Sequence, residues 1–372
     1  MKRLVADAHP AHYLAAGIVL FGMAGVYCIG YSDAFATIYE RGMAAVVQAT
    51  TPVWPAQLNK TDYNARMLAL THYEPPVTST TTLLILPIST ATTTVSIPDS
   101  AWPVPTVYPQ GGAILPFSRI VAYYGNFYSR QMGVLGEYPE SEVLAKLAST
   151  TAAWAAADPS VPTIPAIQYI AVVAQGSAGR DGMWRFRMPD DQIDKALGMA
   201  NQLHGLLFLD VQVGKSTLQS ELPALEKYLA MPNVHLGIDP EFSMKYGNAP
   251  GTVIGTFNAA DVNYAATYLA SLVKEHQLPP KILVVHRFTE DMMTGYKQIR
   301  PLPEVQVVMD MDGWGSQAKK KNTYKRIEAA EPVQFTGLKL FYHADLKPPS
   351  TGMLTKGEVL SLTPAPIYIQ YQ

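Results

Sequence analysis

Cysteine is almost absent from this sequence, since Cys28 is the only one among 372 residues. A single cysteine cannot form an intramolecular disulfide, and it excludes the paired Cys-x-x-Cys arrangements that hold zinc. Apolar residues make up 48% of the chain, so a sizeable hydrophobic core is available to stabilise the fold instead.

Charge is also scarce. Only 16% of the residues are Asp, Glu, Lys or Arg, below the usual quarter, and the formal net charge is −2. No stripe of Lys and Arg interleaved with aromatic residues occurs, so we expect no nucleic acid as a partner. The one basic run, Lys319 to Lys321, lies in a predicted helix and is typical of a solvated helix face.

Glycine-rich phosphate-binding motifs are missing as well. The sequence contains no GxGxxG, and Gly214-Lys215-Ser216-Thr217 does not complete a GxxxxGK[ST] motif, because Leu209 stands where its first glycine should be. Ser177 and Ser216 lie outside any G-x-S-x-G nucleophile elbow. These absences disfavour nucleotide binding and serine-based catalysis.

An uncharged span from Tyr13 to Tyr31 follows Lys2 and Arg3. Its 19 residues are enough to cross a bilayer core of ~30 Å. The preceding positive charges predict that residues 1–12 stay in the cytoplasm and that the span is a signal anchor, which places the remainder outside the cell membrane. Ala34-Phe35-Ala36 resembles a signal-peptidase site, so secretion after cleavage stays open, as does a buried core helix.

Residues 32–114 are rich in proline and threonine, most clearly in the tract from Thr78 to Ser96. Threonine suits strands, whereas the prolines favour an extended chain or an edge-packed segment. This composition predicts either a stalk or an arm that covers the following domain.

From Phe117 onward, short apolar runs alternate with helical patterns, and eight of these runs read as strands. Eight strands separated by helices over residues 115–372 predict an α/β fold of the (β/α)8 TIM barrel type. A doubly wound open sheet is the alternative. The predicted strands are Arg119–Tyr124, Ala166–Ala174, Leu206–Val213, Val234–Ile238, Ile282–Val285, Val305–Met309, Gly337–Tyr342 and Ala365–Tyr371.

Helical patterns occupy most of the segments between these strands. No helix follows the eighth strand, so we expect the segment before Phe117 to cover that side of the barrel. Helices are predicted at Glu140–Ala157, Asp190–Leu203, Ser216–Ala230, Ala259–His276 and Ser316–Ala330, with weaker ones after Phe288 and around Lys356.

Carboxylates dominate the residues that end these strands, where TIM barrels place their active sites. Alternate residues of a strand share a face, so Asp239 and Glu241 form one expected pair and Asp310 and Asp312 another. Paired carboxylates on opposed strands suit glycoside hydrolysis, in which one protonates the leaving oxygen and the other is the nucleophile or activates water. We predict Glu241 as the general acid tuned by Asp239, with Asp310 or Asp312 as nucleophile or base.

Other polar and aromatic side chains at the strand ends are predicted to bind substrate, the aromatic rings by stacking on sugars. The alternatives left open are turn capping or ion pairing with Arg287 and Lys339 for the carboxylates, and core packing for the aromatic residues. The predicted substrate-binding residues are Tyr123, Tyr124, Gln175, Asp210, Gln212, His286, Trp314, Lys339 and Tyr342.

Metal-binding residues are sparse at the strand ends. Metal-dependent barrel hydrolases carry an H-x-H on the first strand, and this strand has no histidine. His286 and His343 are the only histidines at the predicted strand ends. We therefore expect no metal and no cofactor, although two histidines and a carboxylate keep a metal-dependent hydrolase as a further alternative.

Several stretches resemble exported bacterial barrel proteins of glycoside-hydrolase-like type, namely RIVAYYGN, LLFLDVQVG, HLGIDPEF, KILVVHRFTEDM and VVMDMDGWG. Asp239-Pro240-Glu241 is also similar to the D-x-E of chitinase-like barrels, in which the Glu is the acid. The sequence departs from that motif at Val234 and Gly237, which stand in place of earlier aspartates, and at Met311, which replaces a tyrosine.

The expected function is thus a membrane-tethered or secreted barrel that hydrolyses a polysaccharide or cell-envelope glycan with carboxylates at its strand ends. A second hypothesis is a non-catalytic envelope protein that binds a glycan or has a structural role, because barrels can retain the fold without the chemistry.

Overall fold

The computed structural model describes residues 54–72, 102–104 and 106–372. Within these residues no helix is both long and apolar enough to span a bilayer, and the anchor predicted at 13–31 lies outside them. The Thr-rich tract from Thr78 to Ser96 also lies outside them. The strands are β1 (Arg119–Gly125), β2 (Thr163–Ala174), β3 (Leu206–Val211), β4 (Val234–Ile238), β5 (Lys281–Arg287), β6 (Val305–Met311), β7 (Phe335–Leu340) and β8 (Tyr368–Tyr371).

These eight strands form a closed parallel barrel. Each strand pairs with the next in the chain, and β1 pairs in parallel with both β2 and β8, which closes the sheet. The predicted (β/α)8 barrel is thereby confirmed. A short strand, Arg185–Arg187, adds to β2 in antiparallel orientation, and Phe257–Asn258 pairs with Met293–Thr294 outside the barrel.

Helices lie between most of the strands. Two predicted helices differ from expectation. The segment from Ser216 to Ala230 forms two four-residue helices separated by a 3-10 turn, and the segment after Phe288 contains the short strand Met293–Thr294 and a three-residue 3-10 turn, Tyr296–Gln298. The helices are α1 (Lys60–Ala69), α2 (Val134–Glu137), α3 (Glu140–Ala157), α4 (Asp190–Gln202), α5 (Leu218–Glu221), α6 (Glu226–Leu229), α7 (Ala259–Glu275), α8 (Gln317–Tyr324) and α9 (Lys356–Leu360).

Side-chain polarity inside the barrel rises from the N-terminal to the C-terminal ends of the strands. Alternate residues of a strand share a face, so the interior side chains form successive layers. The lower layers are apolar and include Ile120, Phe208, Val284 and Val308. The layers above them are polar and contain, among other residues, Gln168, Asp210, His286, Asp310, Gln212, Asp239, Asp312 and Lys339, all of them buried.

Helix α1 packs at the apolar, N-terminal end of the barrel. Its buried residues Tyr63 and Met67 belong to the same hydrophobic cluster as Ile120 and Val308. The chain before β1 is also tied there by polar contacts: Gln306 accepts hydrogen bonds from the backbone of Ile114 and Leu115 through its side-chain oxygen. The described part of the arm therefore lies against this end of the barrel.

Helices α3 and α9 pack on the outer face of β8. Ile369 and Tyr371 share a hydrophobic cluster with Trp154 of α3 and Val359 of α9, and the Trp154 indole donates a hydrogen bond of 3.0 Å to the Tyr371 hydroxyl. The expectation that the whole segment before Phe117 covers this side stays a prediction, because much of that segment lies outside the described residues.

Candidate active site

A cavity of about 520 Å³ opens at the C-terminal ends of the barrel strands. Eight barrel strands leave an interior that side chains fill, so a cavity of this size forms only above the last layer. Its lining residues include three carboxylates and two lysines together with several aromatic rings, namely Asp239, Glu241, Asp312, Lys319, Lys339, Tyr124, Phe242, Phe288, Trp314 and Phe341.

Asp312 is the β6-end carboxylate that lines this cavity. Its Oδ1 lies 3.1 Å from the Lys339 ammonium and its Oδ2 lies 3.1 Å from Nδ1 of His286. Burial alone would raise its pKa, but the charges of Lys339 and His286 overcome this effect and lower the pKa of Asp312 below its usual range. Asp312 is therefore an anion held between two cations.

Asp310 lies one layer deeper and does not line the cavity. Its Oδ2 is 3.5 Å from Nδ1 of His286, and among the described residues neither of its oxygens has a hydrogen-bond partner of good geometry. Burial raises its pKa, against the opposing effect of His286. In register with Asp310 on β7 stands Gly337, where a Cβ would come within 2.5 Å of Oδ1, so only glycine leaves room for this carboxyl group.

Asp210 lies at the centre of a buried hydrogen-bond network beneath the cavity. Its Oδ1 accepts a hydrogen bond from Gln168 Nε2 at 2.9 Å and lies 3.1 Å from Nε2 of His286, while its Oδ2 accepts from the Tyr124 hydroxyl at 3.1 Å. Gly237 is its register partner on β4, and a Cβ there would lie 2.2 Å from Oδ1. Asp210 thus orients other residues and has no contact with the cavity.

His286 connects the two carboxylate layers. Its Nε2 faces Asp210 and its Nδ1 faces Asp310 and Asp312. Burial opposes its charge, but the negative charge of Asp210 and the hydrogen bonds that the imidazole donates to the three aspartates raise its pKa well above the usual value. His286 is therefore an imidazolium that fixes the position and charge of Asp312 from below, and it is not itself among the cavity-lining residues.

Asp239 shapes the turn that presents Glu241. Its Oδ1 accepts a hydrogen bond of 3.0 Å from the Glu241 backbone N–H, and its Oδ2 accepts one of 3.3 Å from Gln212 Nε2. Gln212 in turn accepts a hydrogen bond from the Ala174 backbone, which fixes its amide. Burial raises the pKa of Asp239 well above its usual value, which favours its uncharged form, although the charge of His286 opposes this effect.

Glu241 lines the same cavity as Asp312. Pro240 begins the 3-10 turn that carries it, because its fixed backbone angle suits the first position of such a turn. Burial and the negative charge of Asp312 raise the pKa of Glu241 to about 7, against the opposing effects of Lys339 and His286. Glu241 and Asp312 therefore differ in protonation at neutral pH although they share one cavity.

The other predicted binding residues divide between the cavity and the outer core. Tyr124, Gln212, Lys339 and Trp314 line the cavity. Tyr123 and Tyr342 do not: their hydroxyls hydrogen-bond each other at 3.0 Å, and both rings pack against Tyr371 outside the barrel. Tyr123 and Tyr124 are adjacent on β1 and must face opposite sides. Gln175 bonds to the backbone of Trp184 and Val173, and it too lies outside the cavity lining.

Three residues of the site were missed at the level of sequence. Gln168 is a central donor to Asp210, and its presence as a polar residue in the apolar run of β2 was the available signal. Lys320 was predicted on a solvated helix face, yet it is 1% exposed and pairs with buried Asp345 at 3.1 Å. Nothing in the sequence distinguishes Lys320 from its neighbours Lys319 and Lys321, so its burial could not be predicted.

Metal binding finds no geometric support in the described part of the chain, where no group of three or more His, Cys, Asp or Glu side chains has a suitable arrangement. The two histidines predicted at the strand ends lie apart, because His343 is exposed and bonds to Glu137 at 2.9 Å. His286 is instead surrounded by buried carboxylates at ion-pair distance, namely Asp210, Asp310 and Asp312.

Comparison with known proteins adds no family to this description. No protein-family model matches the chain, and no curated protein sequence matches it. The class of the protein is thus defined by its own fold, a (β/α)8 barrel with a carboxylate-lined cavity at the C-terminal ends of the strands.

Proposed function

We propose that this protein hydrolyses glycosidic bonds in a polysaccharide or cell-envelope glycan. The observation that carries the proposal is the pair formed by Glu241 and Asp312 in one cavity, with pKa values moved in opposite directions by their surroundings. Two carboxyl groups with distinct protonation states are what acid–base cleavage of an acetal requires.

Glu241 is the general acid of the proposed reaction. A pKa of about 7 keeps a proton available at neutral pH and still allows its transfer to the leaving oxygen. Within the described residues, its side-chain oxygens have no hydrogen-bond partner. The hydrogen bond from its backbone to Asp239 holds the turn and leaves the carboxyl group free to face substrate.

Asp312 supplies the negative charge of the proposed reaction. It either attacks the anomeric carbon or removes a proton from the attacking water, and the anomeric configuration of the product distinguishes these two routes. Lys339 and His286 keep it ionised. Aromatic rings at the cavity wall, Tyr124 and Trp314 among them, supply apolar faces for sugar rings.

The location of the proposed activity follows from the sequence. A signal anchor at residues 13–31 would place the barrel outside the cytoplasm, attached to the membrane or secreted after cleavage. Cell-envelope glycans are the polymers present there, so they are the first substrates to test. A protease-accessibility assay on intact cells would check the orientation.

Substitution of the acid tests the proposal most directly. Purified protein would be incubated with envelope glycans and neutral and acidic polysaccharides, and new reducing ends would be counted. Glu241→Gln should lower kcat by about 10³-fold with unchanged thermal unfolding, because it removes the proton donor and preserves the shape. Glu275→Gln, at an exposed end of α7, is the matched control. Full activity in Glu241→Gln would refute the role of Glu241.

One observation favours a second function, glycan binding without cleavage. The ion pair between Asp312 and Lys339 neutralises the carboxylate that would attack. If wild-type protein binds a glycan and releases no new reducing ends from it over a day at pH 5 to 8, the binding function replaces the hydrolytic one.

A further inference from the structure

The loop that carries Trp314 is held in place by a buried ion pair. Lys320 and Asp345 lie 3.1 Å apart at 1% and 0% side-chain exposure. The Lys320 ammonium also donates to the carbonyls of Gly313 at 2.8 Å and Lys339 at 2.7 Å, and Asp345 accepts from the Gly315 backbone at 2.9 Å. These bonds join the loop after β6 to β7 and fix it on both sides of Trp314.

Two lysines lie beside the Trp314 ring at the cavity mouth. The Lys319 ammonium is 4.9 Å from the ring centroid and the Lys347 ammonium is 5.7 Å from it. Neither lysine has a carboxylate within ion-pair distance among the described residues, whereas most other lysines near the cavity do. Trp314 is itself 51% exposed, so one side of its ring is accessible from solvent.

The shape of this loop depends on leaving room for one of the lysines. Gly315 has a φ of +138°, and a Cβ there would lie 2.8 Å from the Lys319 side chain. A positive φ favours glycine at this position, and the missing side chain leaves room for Lys319 beside the Trp314 ring. A solvated lysine on an ordinary helix face would need no such arrangement.

The charge of the cavity agrees with a ligand that carries negative charge. The ion pair of Asp312 with Lys339 is neutral, and burial favours the uncharged form of Asp239. Glu241 also lines the cavity, and it carries no charge when it holds its proton. Lys319 then leaves the wall beside Trp314 positive. A sugar stacked against the indole would place its ring substituents near the two ammonium groups, which bind an anionic substituent more strongly than a hydroxyl.

We propose that Trp314, Lys319 and Lys347 form a subsite for an anionic sugar, one that carries a carboxylate, sulfate or phosphate group. The inference rests on the proposed function in one respect, which is that the cavity takes a glycan. It narrows the substrate class to acidic glycans.

Binding is measured by calorimetry in a Glu241→Gln background, which holds substrate without turnover. The probes are tetrasaccharides of galacturonic and of glucuronic acid, the same compounds with their carboxylates reduced to alcohols, and the reduced compounds sulfated at those positions. Each tetrasaccharide is thus compared in its carboxylate, neutral and sulfated forms. The charge-removing variant is Lys319→Gln with Lys347→Gln. The control is Lys297→Gln, an exposed lysine that lies 5.7 Å from the Tyr296 ring at a different cavity.

At least one anionic form should bind about 10-fold more tightly than its neutral counterpart, and added salt should remove the difference. The double variant should lose this preference and keep its affinity for the neutral form, while Lys297→Gln changes nothing. Equal affinity for anionic and neutral forms, no binding of any probe at millimolar concentration, or a preference that survives in the double variant would each overturn the subsite.

The two proposals fail separately in this design. Charge-selective binding without cleavage by the wild-type protein would leave the subsite standing and remove the hydrolase. Cleavage of neutral glycans with no preference for acidic ones would keep the hydrolase and remove the subsite.

Discussion

The Lys339 ammonium lies 3.1 Å from Oδ1 of Asp312 and 3.8 Å from the centroid of the Tyr124 ring. The cation is therefore placed between an anion and an aromatic face, with almost no exposure to water. This position lets one charge act on both carboxyl groups of the cavity, because Lys339 lowers the pKa of Asp312 and of Glu241 alike. Together with burial and His286, Lys339 therefore influences the pH range of the proposed reaction.

Lys339→Met should therefore move the pH dependence of activity. Without the cation, ionisation of Asp312 and Glu241 becomes less favourable, so both pKa values rise. The alkaline limb of kcat/KM, which reports Glu241, should shift upward by about one pH unit, and the acidic limb, which reports Asp312, should shift in the same direction. The measurement is a pH–rate profile from pH 4 to 9, with Lys297→Met as a control at an exposed lysine. A profile that does not move would show that Lys339 has no electrostatic role.

The architecture could be predicted because the strands are marked by apolar runs. Val234–Ile238 and Glu140–Ala157 have the bounds that the sequence predicts, and the carboxylates Asp239, Glu241 and Asp312 fall where parallel strands end. The apolar pattern identifies where each strand ends, and barrel geometry then brings those ends together.

The depth and direction of single side chains could not be predicted in the same way. Asp310 and Asp312 lie two residues apart at the end of β6 and share a face. Asp310 is nevertheless buried in the layer below, whereas Asp312 lines the cavity. Tyr123 and Tyr124 differ by one residue and face opposite sides of β1, and their sequence context does not say which one faces inward. Both facts depend on the register between neighbouring strands, which is set by contacts distant in sequence.

Gly237→Ala should disrupt the layer beneath the cavity. Its Cβ would lie 2.2 Å from Oδ1 of Asp210 and 2.8 Å from Nε2 of Gln168, so their hydrogen bond cannot survive unchanged. We expect a loss of about 2 to 3 kcal/mol in the free energy of unfolding, measured by urea denaturation. The matched control is Gly198→Ala, inside α4, where a Cβ has no neighbour within 4 Å and should stabilise by about 0.5 to 1 kcal/mol. Equal stability of the two variants would contradict the packing described for Asp210.

Met67→Ala tests whether α1 belongs to the folded barrel. Met67 is 6% exposed and lies in the cluster that contains Ile120, Phe208 and Val308. Its truncation should lower the free energy of unfolding by about 2 to 4 kcal/mol, because the apolar layer of the barrel loses contacts and a cavity is left. Thr61→Ala, at an exposed position of the same helix, should change the free energy of unfolding by less than about 0.5 kcal/mol. Similar small effects at both positions would mean that the helix does not stabilise the barrel.

Glu328 is a buried glutamate whose ionisation should make the free energy of unfolding depend on pH. It is fully buried in the π-helical turn Lys325–Ala329, and neither of its oxygens has a hydrogen-bond partner among the described residues. Burial raises its pKa from 4.5 to about 8. Asp310 and Glu331 add to this effect, whereas Arg287 opposes it.

The direction of the pH effect follows from this shift. Between pH 4.5 and 8 the folded protein holds a proton on Glu328 that the unfolded chain releases, so stability falls as pH rises through that range. The glutamine of the Glu328→Gln variant cannot ionise. Between pH 5 and pH 8 the free energy of unfolding of this variant should therefore fall by about 3 kcal/mol less than that of the wild type. Urea denaturation at both pH values measures the difference, with Glu142→Gln on the exposed face of α3 as the control. If the wild type and Glu328→Gln lose the same stability over this range, Glu328 is ionised in the folded protein.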